Sequence, residues 1–312
     1  MRIDLLCSGS KGNSCLIRHK DTQLLIDCGS TKKYLMESFQ KVGACVDDTN
    51  GVLISHAHSD HVSQLKHFKH LDVYSYCDLK DALDKHDVFP NQKMIINDLS
   101  IQFIGLSHDS PHTIGFVVES ETEKLVYVTD TGYVPNQIKP YIANADHYIF
   151  ESNHDVNRLM QTKRPMFLKQ RILSDSGHLN NEDSSLNLTS LINMKTKNIV
   201  LAHLSEEANT QDLALDTFSD VLLRKDLHPS KVDVRAAKQF ETVECPLHLD
   251  AVHLPARGTA LLEDLGNLTA NELYDPAGAG PQTAQAILSG LDAVYAQCET
   301  LIVVSNEVFS GG

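Results

Sequence analysis

A dense cluster of potential metal ligands directly after an apolar segment is the feature that most constrains how this chain can fold. Residues 51–55, GVLIS, predict a buried strand, and four potential ligands follow within six residues: His56, His58, Asp60 and His61. Because side chains alternate along an extended chain, His56 and His58 fall on one side, where two imidazoles can bind one metal ion. A turn would then bring Asp60 and His61 to a second ion. The alternative, a polar loop of solvated histidines, would be favoured for one histidine but not for this cluster.

Short apolar segments recur through residues 1–240 and predict a largely buried sheet system. Most span four to seven residues, are rich in Ile, Val and Leu, and end at Gly, Asp, Ser or His. The predicted strands are Ile3–Cys7, Cys15–Ile17, Gln23–Asp27, Gly51–Ser55, Ser100–Leu106, Gly115–Val118, Leu125–Thr129, His147–Phe150 and Asn198–Leu201. The predicted helices are Thr31–Val42, Cys77–His86, Asn181–Ile192 and Asp212–Leu223. Because strand pairs are joined directly and mixed with helices, we expect α+β layers rather than a regular doubly wound sheet.

The acidic composition of the C-terminal segment predicts a second domain. Residues 241–312 contain no lysine, one arginine and ten acidic residues, whereas the whole chain has 27 basic and 41 acidic residues. Such a change is typical of a domain junction, and we predict domains at 1–239 and 240–312. The net charge of −14 excludes a broad basic surface, so that any nucleic-acid role requires a local basic patch.

The composition also predicts a cellular compartment. The first ten residues, MRIDLLCSGS, lack the layout of a secretion signal, and no apolar run is long enough to span a membrane. Seven scattered cysteines fit a reduced compartment better than a disulfide framework, so we expect a cytoplasmic protein with no membrane association. The sixteen histidines are unusual and suggest metal chemistry.

The histidine cluster and three later motifs resemble the metallo-β-lactamase fold, which is an αββα sandwich. His56–His61 is similar to its HxHxDH signature, and the later motifs are 107–109 (SHD), 128–132 (VTDTG) and 201–205 (LAHLS). The resemblance implies that His108 completes a first metal site, that Asp130 bridges two ions, and that His203 completes the second site. Each motif has an alternative: His112 competes with His108, Asp130 could cap a turn, and His203 could be a core histidine. Their joint order favours the resemblance.

Four further motifs resemble the YycJ/VicX-type branch of this superfamily. They are 7–14 (CSGSKGNS), 25–29 (LIDCG), 150–155 (FESNHD) and 176–183 (SGHLNNED). This resemblance implies a bacterial enzyme that hydrolyses phosphodiester bonds in nucleic acid, with exonucleolytic action on DNA favoured over action on RNA. It implies two divalent ions, zinc or manganese with iron as a further option, which activate a bridging hydroxide.

The resemblance and the local sequence together predict roles in catalysis and substrate binding. Asp60 and His178 are the predicted catalytic residues, and His178 would protonate the leaving oxygen. The predicted substrate-binding residues are His154 and the cations of a local basic patch, Lys163, Arg164, Lys169 and Arg171. The patch is interleaved with Met166 and Phe167 and could follow a phosphate backbone. The structural alternative for His154 is a hydrogen-bonded loop residue. The alternative for the basic patch is a solvated face of a helix or loop.

The C-terminal segment resembles a different family, the bifunctional adenosylcobinamide kinase/guanylyltransferases. The similar stretches are 242–250, 260–272 and 301–308, but no GxxxxGK[ST] phosphate loop occurs in the chain. We therefore predict an incomplete α/β fragment of P-loop-kinase type, joined as a fusion and without kinase activity.

Together these patterns predict a dinuclear metal-dependent phosphodiesterase acting on nucleic acid. The enzymatic alternative keeps the metals but hydrolyses a small phosphoester, cyclic nucleotide, thioester or lactam. Two alternatives of other classes are a nucleotide- or cobinamide-binding protein and an interaction protein with structural metals.

Overall fold

Alternation along the strands divides the apolar side chains between three cores. In the computed structural model, which describes residues 1–80, 84–227, 232–244, 259–262, 283–297 and 300–303, both faces of most strands are buried. On β3 (Thr22–Ile26), for example, Leu24 and Ile26 enter the core between two sheets, whereas Leu25 faces an outer core. Two outer helical layers complete an αββα sandwich, as predicted.

The first sheet has seven strands in the order β14-β1-β2-β3-β4-β5-β6. Its strands are β1 (Arg2–Cys7), β2 (Ser14–His19), β3, β4 (Gly51–Ile54), β5 (Asp72–Ser75), β6 (Asp84–Asp87) and β14 (Val243–Glu244). Pairing is antiparallel from β14 to β3 and parallel from β3 to β6. The outer core on this sheet includes Leu35 and Phe39 of α1 (Lys32–Lys41).

The second sheet also has seven strands, in the order β13-β12-β11-β10-β9-β8-β7. They are β7 (Lys93–Ile96), β8 (Leu99–Gly105), β9 (Ile114–Glu119), β10 (Lys124–Val128), β11 (His147–Glu151), β12 (Asn198–Ala202) and β13 (Asp233–Ala236). The pairs between β10 and β13 are parallel, and β8 runs in the same direction because β9 is antiparallel to both neighbours. The carboxyl ends of β8, β10, β11 and β12 therefore lie along one edge.

Side-chain caps fix where the longer helices begin. The helices after α1 are α2 (Ser59–Val62), α3 (Lys139–Ile142), α4 (Val156–Gln161), α5 (Met166–Ile172), α6 (Asn181–Leu191) and α7 (Gln211–Arg224). Thr31, Asn180 and Thr210 accept hydrogen bonds from the first turns of α1, α6 and α7. Leu188 of α6 and Phe218 of α7 belong to the outer core of the second sheet.

One predicted element is wrong in part. The segment Cys77–His86 was expected to be helical, but Asp84–Asp87 forms β6, parallel to β5 at the sheet edge; residues 81–83 lie outside the described ranges. An exposed edge strand lacks the alternating apolar pattern that identifies a buried one, and the strand is held instead by its pairing with β5.

The chain divides into two compact units, Met1–Cys245 and Pro246–Gly312. The first unit extends beyond the predicted boundary at residue 239 because β14, at Val243–Glu244, pairs with β1. In the second unit, β15 (Thr259–Leu262) and β16 (Thr300–Val303) form a parallel pair, and α8 (Thr283–Tyr295) lies between them in sequence. The functions predicted for the two segments stay predictions. Within the described ranges, no helix combines the length and apolarity needed to cross a membrane.

Candidate metal centre

Potential metal ligands follow the carboxyl ends of strands from both sheets. His56 and His58 come after β4, and the short helix α2 carries Asp60 and His61. In the second sheet, His108, Asp130 and His203 follow β8, β10 and β12, which run in one direction. Parallel strand ends meet at one edge, so residues far apart in sequence converge there.

Left-handed backbone turns occur at three of these strand ends. Asp27, Asp130 and His203 have φ values of 55°, 59° and 56°. Such values are uncommon outside glycine and cluster at functional sites, where the surrounding structure stabilises them. All three residues are buried and contact the cluster described next.

Two groups of ligand atoms lie side by side, with Asp130 between them. Nitrogens of His56, His58 and His108 lie within 4.8 Å of one another, and so do ligand atoms of Asp60, His61 and His203. Asp130 Oδ2 is 3.4 Å from His61 Nε2. Its Oδ1 is 3.4 Å from His203 Nε2 and 3.8 Å from His108 Nε2. All seven predicted metal ligands are thus brought together, and His108 rather than the exposed His112 joins the cluster.

Unpartnered atoms inside the cluster test whether a metal would fit. His56 Nε2, His203 Nε2 and Asp130 Oδ2 are buried and make no hydrogen bond to any residue that the structure describes. Leaving such atoms without a partner is costly in a folded protein. Imidazole nitrogen and carboxylate oxygen are ligands for zinc, manganese and iron, so divalent ions would satisfy the atoms that the protein leaves unpaired.

The protonation states favour metal ligation at two of these residues. Burial lowers the pKa of His56 well below its usual value, which keeps its imidazole neutral. Burial opposes ionisation of Asp130, but His203 and His61 hold the pKa of this carboxyl well below its ordinary range. A neutral imidazole beside an ionised carboxylate is the state that binds a cation.

Asp27 positions the histidine on the side of the first sheet. His61 Nδ1 donates to Asp27 Oδ2 over 2.8 Å, while Ser55 donates to both Asp27 oxygens over 2.8 Å each. Burial opposes protonation of His61, but the negative charges of Asp27 and Asp130 raise its pKa well above the usual value. Because Nδ1 faces Asp27, Nε2 remains directed at the cluster.

Glu151 has the corresponding position on the side of the second sheet. Its Oε1 accepts hydrogen bonds from His203 Nδ1 over 3.0 Å and from His178 Nδ1 over 2.7 Å. Its Oε2 accepts from the Thr131 amide over 2.8 Å. Burial opposes ionisation, but His178 and His203 lower the pKa of Glu151 to about 2. One buried carboxylate thus orients both a metal ligand and the predicted proton donor.

The glycine-rich turn after β1 supports the cluster from the first sheet. Asn13 Nδ2 lies 3.2 Å from Asp60 Oδ2, and the Asn13 amide donates to the Asp60 carbonyl over 2.8 Å. Ser8 Oγ accepts from the His203 amide over 2.7 Å. Gly29 packs so closely that a Cβ there would lie 1.7 Å from the Asp60 carbonyl oxygen. The turn after β1 and Gly29, which follows β3, therefore fix the backbone of Asp60 from two sides.

The predicted substrate-binding residues have different surroundings. Lys163 is exposed, Arg164 Nε donates to Glu207 over 2.9 Å, and Arg171 lies 3.1 Å from Asp109. Lys169 is buried, and its ammonium donates to the carbonyls of Met160 and Thr162, so it joins α4 to α5.

His154 is buried at a separate cavity of about 600 Å³, lined also by Asn180 and Arg224. Burial lowers the pKa of His154 to about 4, and Nε2 has no hydrogen-bond partner among the described residues. Its predicted role in substrate binding stays a prediction.

The sequence interpretation missed the roles of Asp27 and Glu151. Both lie in quoted motifs, and each is at the end of a predicted strand or directly after one. Side chains at such ends project toward the same edge as the ligands, which is the signal that could have identified them.

Much of the first unit is similar in sequence to known proteins. A family model described as "Beta-lactamase superfamily domain" matches residues 22–204. Exodeoxyribonuclease YycJ of Bacillus anthracis is 34% identical over 238 residues, which cover 72% of this chain and 90% of that protein. Exodeoxyribonuclease WalJ of Streptococcus pneumoniae is 33% identical over 241 residues, with the same two coverages of 72% and 90%.

A solved structure shows the same fold. The metallo-β-lactamase fold protein YhfI from Bacillus subtilis superposes with a TM-score of 0.59 at 18% identity, covering 78% of this chain and 98% of that one. The family match ends at residue 204 and gives no support to the resemblance predicted for the C-terminal segment, which stays a prediction.

Proposed function

The chain belongs to the β-lactamase superfamily, and from that membership together with its ligand cluster we propose that it is a dinuclear metal-dependent phosphodiesterase that removes nucleotides from DNA ends. One observation carries the proposal. The groups His56–His58–His108 and Asp60–His61–His203 lie on either side of Asp130, and three atoms of this cluster, including Asp130 Oδ2, are buried without a hydrogen-bond partner among the described residues. The exodeoxyribonuclease names of the two relatives support a metal-dependent hydrolase with DNA as substrate.

The two groups would each hold one ion, with Asp130 shared between them. When bound, divalent ions lower the pKa of a coordinated water and stabilise negative charge on phosphate oxygens. Zinc or manganese suits this set of imidazoles and carboxylates, and iron is a further option.

The protein's own residues supply the proton for the leaving oxygen. His178 Nδ1 donates to Glu151, so Nε2 is the ring nitrogen that can carry a transferable proton. The ionised Glu151 accepts this hydrogen bond and holds the ring in place. We therefore assign His178 as the general acid and Glu151 as the residue that positions it.

Cleavage assays on the full chain test the proposal. Wild type, Asp60→Ala and the control Asp87→Ala, which changes an exposed aspartate, are given Mn²⁺ or Zn²⁺ with end-labelled single- and double-stranded DNA and RNA. We expect DNA to be shortened from an end by wild type and the control, but not by Asp60→Ala. The product ladder then gives the direction of cleavage.

Two results would contradict the proposal. Cleavage of RNA alone would move the substrate from DNA to RNA. Failure to cut any polymer, with two metal equivalents bound, would reject the nuclease and favour a small phosphoester or thioester.

A further inference from the structure

A surface segment beside the metal centre combines positive charge with exposed apolar side chains. Residues 156–174, here named the basic segment, include α4 and α5 and contain five cations and no acidic residue, although the whole chain has a net charge of −14. Within it, Met166 and Phe167 are 54% and 74% exposed. A polyanion that also presents flat apolar groups matches both properties.

Phe167 lies on the exposed face of α5, and the opposite face of this helix is packed against the protein. Ile172 of α5 packs with Leu159 and Ala208 in a small buried cluster. The buried Lys169 ammonium donates to two backbone carbonyls near the end of α4. Because these contacts hold α5 in place, the position of the Phe167 backbone is fixed although its side chain is exposed.

The end of α5 is connected to the metal ligands. Arg171 contacts Asp109 over 3.1 Å, and Asp109 lies 3.2 Å from His108 Nε2. The loop after α5 is also fixed, because Gly177 O accepts from His108 Nδ1 over 3.1 Å. Phe167 and Arg171 are four residues apart on α5, which places them on one face about 6 Å apart along the axis. That rise is comparable to the spacing of adjacent nucleotides in an extended strand.

We propose that Phe167 stacks on an unpaired nucleobase of the DNA strand entering the metal centre, while Lys163 and Arg171 contact the flanking phosphates. The proposal rests on the proposed function and specifies that the entering end carries an unpaired base, since bases inside a duplex cannot offer a face to Phe167. Lys169 takes no part because it is buried against the backbone. Both arginines are paired with an acid, but the Arg164 side chain is only 29% exposed, whereas that of Arg171 is 59% exposed and has further N–H donors for a phosphate.

Fluorescence binding to the full chain tests the stacking contact. Asp60→Ala serves as the parent so that the DNA is not cut, and the probes are single strands with 2-aminopurine near the 5′ or the 3′ end. We expect one probe to be quenched on binding. Adding Phe167→Ala is expected to abolish the quench and weaken binding about 5- to 100-fold, whereas Phe167→Tyr retains both.

A matched control and an altered probe exclude trivial explanations. Ile95→Ala removes a side chain that is equally exposed, at 74%, on β7, and is expected to change nothing. A probe with an abasic site at the quenched position should weaken binding to the parent as much as Phe167→Ala does. The two changes together should add no further loss, because both remove one contact.

The outcomes separate this inference from the proposed function. The stacking contact would be overturned if Phe167→Ala bound both probes as tightly as the parent does. It would also be overturned if Ile95→Ala lost as much DNA affinity as Phe167→Ala. If the chain with Asp60 intact still shortens DNA, the proposed function survives that result. Absence of both binding and cleavage would overturn the two together.

Discussion

Strand β11 has a carboxylate–imidazole contact at each end, and the two contacts differ in kind. At its start, His147 Nε2 lies 3.3 Å from Glu123 and Nδ1 lies 2.9 Å from Asn198, so both ring nitrogens have partners. At its end, Glu151 binds His203, whose Nε2 is buried without a hydrogen-bond partner among the described residues.

The difference separates a structural contact from a functional one. Both carboxyl groups have lowered pKa values, Glu123 through hydrogen bonds from His147 and Lys197 and Glu151 through the charges of two histidines, although burial opposes both. A lowered pKa therefore does not distinguish the two sites. The distinguishing feature is the unpartnered ligand atom, because it needs a bound group to complete it.

Replacing Glu151 is expected to have the largest effect. Glu151→Gln keeps the shape but loses the charge that orients His203 and His178, so it weakens metal binding and proton donation together. We expect kcat/KM for DNA to fall about 1,000-fold, with only partial recovery in excess metal. Glu123→Gln, at the other end of the strand, is the matched control; equal losses in the two variants would break the comparison.

The order of the motifs predicted the sandwich and the clustering of the seven proposed ligands, and local signals located the strands. Strands buried on both faces have apolar runs, and each proposed ligand lies within a few residues of the end of such a run. Strands β5, β6, β7, β13 and β14 were not predicted. Of these, β6 is exposed and β14 has only two residues, so pairing rather than composition defines them.

The support around the ligands could not be predicted from local patterns. Asp27 contacts His61, which is 34 positions away in sequence, and Glu151 contacts His203, which is 52 positions away. Only the folded chain brings these groups together. Lys169 shows that a local pattern also leaves a side chain's contacts open. Its place in a basic run suggested a phosphate contact, whereas its ammonium is used to join two helices.

Replacing His178 separates proton donation from metal binding. His178→Gln is expected to lower kcat for DNA about 100-fold with unchanged metal content, because His178 is not one of the proposed ligands. The nitrophenyl ester of thymidine 5′-phosphate should be cleaved almost normally, since its leaving group departs without a proton. Loss of metal in this variant, measured by elemental analysis, would instead make His178 a ligand. His112→Gln controls for removal of an exposed histidine from the loop between β8 and β9.

Replacing Asp27 tests the first-sheet side of the centre. Asp27→Asn retains a hydrogen-bond acceptor for His61 but loses the negative charge, so we expect metal affinity to fall about 10- to 100-fold. Excess metal should restore kcat, which distinguishes this carboxylate from Glu151. Asp72→Asn is the matched control because Asp72 contacts His86 over 2.8 Å at the far edge of the same sheet. Activity that metal cannot restore would show that Asp27 does more than position His61.

Replacing Glu123 is expected to have the smallest effect and to act on stability alone. Lys197 donates to Glu123 over 2.8 Å, and Glu123→Gln removes that charge pair at a cost of about 1 kcal/mol in the free energy of unfolding. Since the folded-state pKa of Glu123 is lowered, its contribution is present above the unfolded value near 4.5 and is lost as the pH falls toward the folded value. The difference between wild type and Glu123→Gln in urea unfolding should therefore be largest near neutral pH and shrink below about pH 4. Glu121→Gln, which removes an exposed partner of Lys20, should change neither stability nor activity. A pH-independent difference for Glu123→Gln would mean that the lost contact is packing rather than charge, and the contact at the start of β11 would then not be an ionic one.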